Sequence, residues 1–263
     1  MENTKIAMQR LSRKCWYHVD CTACGGNLAC SNSSWDANDE NVDCWQLCQR
    51  TCATFARVCM MWNDANIPEP FWGYALDDLR QSSDFLVESQ ISQIRRNIVS
   101  MVDVGVNIAL SSALPGAGKT YRSILFLKEL ISNTATRSYI PNLCQYVHLP
   151  SFSYYYELCR ALPVDDARRQ QMISRALDIA DARLAVFDGY SEDILDKPGV
   201  SLMLSALKTR QNCKKSSIVV LDTGTIVTSG FLKHFCDSAL QLNLSNVDRR
   251  EHMKNEFKLN FLD

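Results

Sequence analysis

Residues 113–120 read ALPGAGKT, and no other stretch restricts the fold of this chain as strongly. The spacing is that of a phosphate-binding loop, the Walker A pattern, with Ala113 at the position of the usual first glycine. A strand-like run, VGVNIALSS (104–112), precedes it. A helical run follows from Thr120 to Ser132, with Ile124, Leu127, Leu130 and Ile131 on one side. In that setting small residues let successive main-chain N–H groups converge on phosphate oxygens, and the helix N-terminus adds positive potential. Pro115, Gly116, Ala117, Gly118, Lys119, Thr120 and Tyr121 are the candidate nucleotide contacts. Lys119 is expected to reach the β- and γ-phosphates, and the Thr120 hydroxyl to ligate Mg²⁺. A chance glycine-rich turn is the competing reading, and the flanking strand and helix weigh against it.

Mg²⁺ also needs an acid at the end of a neighbouring strand. RLAVFDG (183–189) supplies an apolar run and then Asp188, the Walker B form, although an Asp after a strand also serves as a turn former. The carboxylate that orients the attacking water is expected directly after that Asp. Here the position is Gly189, followed by Tyr190 and Ser191, and Glu192 is the nearest catalytic candidate. The pattern therefore supports ATP binding better than ATP hydrolysis.

Around these motifs strands and helices alternate. Strand-like runs at 104–112, 144–152, 183–189, 216–224 and 238–244 are separated by helical runs at 120–132, 153–181 (broken at Pro163) and 198–211. This pattern implies an α/β fold with a mostly parallel sheet flanked by helices. Three regions are expected: a Cys-rich N-terminal partner-binding module (1–63), a linker and lead-in helix (64–103), and a P-loop ATPase core (104–263). In the linker DANIPEPFWG, two prolines disfavour regular structure, and Ile67, Phe71 and Trp72 are left to dock on a neighbouring surface. A net charge of −1 excludes a strongly basic nucleic-acid coat.

Eight of the 12 cysteines (Cys15, Cys21, Cys24, Cys30, Cys44, Cys48, Cys52, Cys59) precede residue 60. The start, MENTKIAMQRLSRK, has no apolar leader, and no run of 18 apolar residues occurs, so a cytoplasmic protein with no membrane span is expected. Clustered cysteines in that compartment point to zinc before disulfides. Cys21-Thr-Ala-Cys24-Gly-Gly forms a knuckle-like turn, and Cys44 and Cys48 share a helix face and complete the set. Cys15, His18, Cys30 and Cys52 are substitutes. The competing reading makes Cys48, Cys52 and Cys59 small buried hydrophobes, and the four later cysteines are read as core residues.

The order of features resembles the DnaC-type DNA-helicase loaders and the related ATPases that assist insertion-sequence transposition. The matching pieces span roughly 64–245. They are ANIPEPF (65–71) with ALDDL (75–79), then the Walker A loop, then IADARLAVFD (179–188), and then Arg210 before the strand opening at Ser216. The resemblance implies an AAA+ core that binds ATP and Mg²⁺, oligomerises, and acts on a replicative helicase and single-stranded DNA in a bacterial or phage-infected cell. It also implies that the Cys-rich module contacts the partner. It makes Asp222, Arg210 and Arg249 candidates for sensor or trans-acting roles. Three departures stand out. Gly189 replaces the second acid, Asp222 replaces the sensor Asn, and HFCDS (234–238) lacks the late Arg finger. These point to a slow ATPase or to a nucleotide-binding scaffold without turnover. A viral helicase-like transport protein shares the loop form, but the chain lacks room for a second such domain.

The remaining features carry plainer readings. Arg168, Arg169 and Arg175 form a solvated helix face, Tyr154–Tyr156 pack at a rim, and His148 is a packed histidine. The run DRREHMKNEFK is an exposed helix.

Overall fold

Runs such as SSIVVL and LAVF offer no polar face to solvent, so both of their sides must be covered. The computed structural model, which describes residues 53–72, 85–135, 138–222 and 230–244, covers them with helices on each side of one sheet. The strands are β1 (Ile108–Ser111), β2 (Cys144–His148), β3 (Leu184–Tyr190), β4 (Ser216–Leu221) and β5 (Leu240–Asn243). They lie in the order β2-β3-β4-β1-β5, with every neighbouring pair parallel. The α/β class and the parallel sheet expected from the sequence are both present.

Successive strand residues point to opposite faces, which divides the core in two. On one face Ile108, Leu110, Val186, Ile218 and Val220 pack with helices α1 (Ala53–Asp64), α2 (Phe85–Asp103) and α3 (Lys119–Ala135). On the other, Ala109, Ala185, Phe187, Val219 and Leu221 pack with α4 (Leu149–Arg160), α5 (Ala167–Asp181), α6 (Pro198–Asn212) and α7 (Gly230–Ser238). The chain leaves β1 through α3 and crosses to the far edge at β2. It then returns in the opposite direction with its helices on the other face, as right-handed crossovers demand.

Several boundaries differ from expectation. The strand expected at 144–152 stops at His148, because Pro150 sits in the first turn of α4, where its missing N–H costs nothing. Tyr154, Tyr155 and Tyr156 are helical, as expected of the run from 153, but Tyr154 and Tyr155 are exposed instead of packed. Helix α7 occupies a stretch that carried no predicted element. Cys59, Cys144 and Cys236 are buried as core thiols, whereas Cys159 is half-buried and Cys213 exposed, contrary to the core reading of both.

The expected linker belongs to the core. Val58, Met61, Trp62, Ile67 and Trp72 are buried in the cluster that holds α3, so the core begins before residue 64. Turns replace regular structure here, as the prolines require, but they are pinned. The Trp72 indole N–H donates to the Ile67 carbonyl at 2.7 Å. Lys128, buried on α3, donates to the carbonyls of Phe71 and Trp72 at 3.1 and 3.3 Å and lies 4.7 Å from the Trp62 ring centre. A lysine among apolar residues is costly unless its charge meets such partners.

At the N-terminal ends of β3 and β4, Arg210 is fully buried. Its guanidinium donates to the carbonyls of Ile179 (2.9 Å), Ala182 (2.6 Å) and Ser216 and to the Ser217 hydroxyl (3.0 Å). Burial pulls its pKa down to about 10, which still leaves it charged at neutral pH. Arg210→Met, which keeps length but not donors, is expected to lower stability by about 3 kcal/mol or more, since each unpaired buried carbonyl costs about 1–3 kcal/mol. Urea unfolding followed by circular dichroism measures this; a loss below about 1 kcal/mol would mean that other donors satisfy those carbonyls.

Candidate nucleotide-binding site

Strands β1 and β4 are neighbours, yet β1 leads to α3 on one face of the sheet and β4 leads to α7 on the other. Diverging connections of this kind open a crevice at the C-terminal strand ends, where ligands of open parallel sheets bind. The loop ALPGAGKT lies at that edge. Gly116 and Gly118 have φ of +79° and +84°, which residues with a Cβ resist, so both glycines are needed for the loop to turn its main chain toward the crevice. Ser112 steadies the loop entry, its hydroxyl accepting from the Leu114 N–H at 3.2 Å. Helix α3 then begins at Lys119, so the free N–H groups of its first turn face the same space.

A buried cation fixes the loop from behind. Arg122, only 2% exposed, donates to the Ala117 carbonyl at 3.0 Å and pairs with Glu88 of α2. The sequence reading passed over both residues. The only available signal was an arginine in the first turn of the helix that the phosphate loop opens.

The two residues expected to hold Mg²⁺ are brought together. The Thr120 hydroxyl donates to Asp188 Oδ2 at 2.9 Å, although 68 residues separate the two. Cis oxygen ligands of an octahedral Mg²⁺, each about 2.0–2.1 Å from the metal, stand about 2.9 Å apart, so this pair fits the ion. When bound, Mg²⁺ would neutralise charge developing on the phosphates. Asp188 is 3% exposed and receives a second donor that the sequence did not reveal: the Tyr146 hydroxyl, at 2.6 Å from the same oxygen. Burial, and then the Asp188 charge, push the Tyr146 pKa far up, so the phenol stays a neutral donor. Strand alternation puts Tyr146 on the α3 face, but only the register of β2 against β3 shows that it meets Asp188.

The other candidates separate in space. Lys119 and Tyr121 are buried, with the Tyr121 ring 6.5 Å from that of Phe71. Asp222 is exposed at the end of β4, and its N–H donates to the Tyr190 carbonyl at 2.7 Å, so it stands at the same sheet edge as Asp188. Arg210 lies at the opposite end of the strands with its guanidinium held by main chain, which leaves it no surface to offer a neighbouring subunit. Glu192 opens a 3-10 turn, Glu192–Ile194, just beyond β3. Arg249 and the cysteines expected to hold zinc (Cys21, Cys24, Cys44 and Cys48) lie outside the described residues. Among the described residues no group of three or more His, Cys, Asp or Glu is placed to hold a metal, and no helix is long and apolar enough to cross a membrane.

Gly189, which stands where a second acid was expected, has a φ of +80° at a register shift between β3 and β4. An acid there would carry backbone strain of about 1–3 kcal/mol.

Tyr146→Phe keeps the ring and removes the donor to Asp188. It is expected to weaken Mg²⁺-dependent nucleotide binding by about 10-fold, the low end for loss of an outer-shell partner. Titrating Mg²⁺ against a fluorescent ATP analogue reads the change; an unaltered midpoint would show that Asp188 needs no help from Tyr146.

No family model matches the chain, and no curated protein matches it. Among solved structures it is similar to the crystal structure of the DnaC helicase loader, with 13% identity and a TM-score of 0.47, covering 68% of this chain and 100% of that one.

Proposed function

We propose that the chain is an ATP-binding, helicase-loader-like AAA+ protein of phage or mobile-element DNA replication. In this reading the loop of residues 113–120 holds the triphosphate, Lys119 neutralises the β- and γ-phosphates, and Thr120 and Asp188 hold Mg²⁺. The observation that carries the nucleotide reading is the 2.9 Å contact between Thr120 and Asp188 behind a glycine-turned loop. The loader reading is supported by the order of motifs from Ala65 to Ser216. Bound ATP would stabilise one conformer and one subunit interface, so nucleotide would drive homo-oligomer assembly. The assembly would engage a replicative helicase and single-stranded DNA, with the Cys-rich N-terminal module as the helicase contact and zinc as its structural ion.

A second reading is favoured by Gly189: a nucleotide-binding scaffold or regulator that does not turn over. Its signature is tight ATP binding without phosphate release.

Lys119→Ala is expected to weaken ATP binding by about 100-fold or more, since it removes a charge-assisted contact to two phosphates, and to abolish nucleotide-dependent assembly. Fluorescent-analogue titration and light scattering measure the two effects. An unchanged affinity in this variant would remove the site assignment.

A further inference from the structure

Residue 189 is where the sequence lacks a water-orienting carboxylate, and the structure fills that direction with another side chain. A Cβ built on Gly189 would stand 3.3 Å from both Cδ2 and Nε2 of His148 and 3.1 Å from Pro150 Cδ. One edge of the imidazole therefore lies along the path that a side chain at 189 would take.

His148 is the last residue of β2 and the register partner of Asp188. It therefore stands in the same row as Asp188 at the C-terminal edge of the sheet, with its ring beside Gly189 and the first turn of α4. The sequence reading made His148 a packed residue, but it is exposed, while Cys144, Gln145, Tyr146 and Val147 of the same strand are buried. It is also the N-cap of α4 without using its side chain as the cap. The ring is instead held by Ser151 in the first turn of α4, whose Oγ is 2.8 Å from Nδ1. In the tautomer whose Nδ1–H donates to that hydroxyl, Nε2 is an acceptor beside Gly189.

We propose that His148 is a catalytic residue that orients the attacking water in place of the missing second acid. This rests on the nucleotide-binding reading given above. Water donates one hydrogen to Nε2 and presents a lone pair to the γ-phosphorus. The new P–O bond forms as the bond to the β,γ-bridging oxygen breaks. That oxygen leaves with the electron pair as part of ADP, and the surplus proton of the water passes to the phosphate product and solvent. Because the transition state of phosphoryl transfer is loose, holding the water in line matters more than removing its proton early. Ser151 acts through His148 and is a positioning residue.

The test measures ATP affinity and phosphate release separately on the full chain, with thermal melting as a check that each variant folds. His148→Ala is expected to lose about 100-fold in kcat while ATP affinity stays within about 2-fold, and His148→Gln, whose amide oxygen also accepts from water, to retain part of the rate. Free imidazole added to His148→Ala is expected to restore part of the turnover, a rescue that a purely structural histidine does not give. Wild-type chain that binds ATP but releases no phosphate overturns the proposal. So does a folded His148→Ala with unchanged kcat, or one whose ATP affinity falls together with its rate. Wild-type chain that fails to bind ATP overturns the nucleotide reading beneath it.

Discussion

A single row of hydrogen-bonded partners runs across the sheet near its C-terminal edge: Leu242, Leu110, Val220, Asp188 and His148. The loop of residues 113–120 leaves from one strand of this row, and the carboxylate that answers it sits two strands away. Neither local propensity nor helix packing sets the distance between Thr120 and Asp188. The ladder register does, because strands about 4.8 Å apart, read in register, fix the spacing of everything at their ends. A one-residue slip of β3 would turn Asp188 to the opposite face and leave Thr120 facing Phe187 or Gly189, neither of which offers it a carboxylate.

Three buried cations hold the frame around that row, and each takes main-chain oxygen, Arg122 together with the Glu88 carboxylate. Arg122 takes the carbonyl of Ala117, Lys128 takes those of Phe71 and Trp72, and Arg210 takes those at the entry to β3 and β4. Carbonyls outside regular structure need donors when buried, and a long cationic side chain can supply several at once. The glycine-turned loop, the proline-rich segment and the strand entries are the places where ladder and helix bonds run out. That is why the charges are found there.

The parts of the fold visible in the sequence were those with strong local chemistry. The phosphate loop announces itself because small residues, a lysine and a threonine must fall at fixed offsets. Asp188 follows an apolar run of the length a buried strand needs. The docking of Ile67, Phe71 and Trp72 was legible in their large apolar side chains, whereas the prolines reported only on backbone regularity and not on how deeply the segment is held. Its anchors, the Trp72 indole and Lys128, are non-local. The end of β2 was misread because Pro150 disfavours a strand but suits a first helical turn. The contact made by Tyr146 and the structural role of Arg210, which the resemblance marked for a sensor or trans-acting part, were out of reach for a common reason: each acts on residues brought to it only by strand pairing.

Strand β2 is an edge strand, and its Tyr146 N–H is taken by the carbonyl of Ala65, just after α1. The same residue gives its hydroxyl to Asp188 on the other side of its ring. The turn that follows α1 and the carboxylate at the nucleotide crevice thus share one residue, which meets the first through its main-chain N–H and the second through its hydroxyl. Asn66 and the Asp64 carbonyl meet Gln145 of the same strand, so the turn after α1 is part of the edge that sets where the Tyr146 hydroxyl stands, and the chain ahead of the sheet is coupled to the crevice through β2 itself.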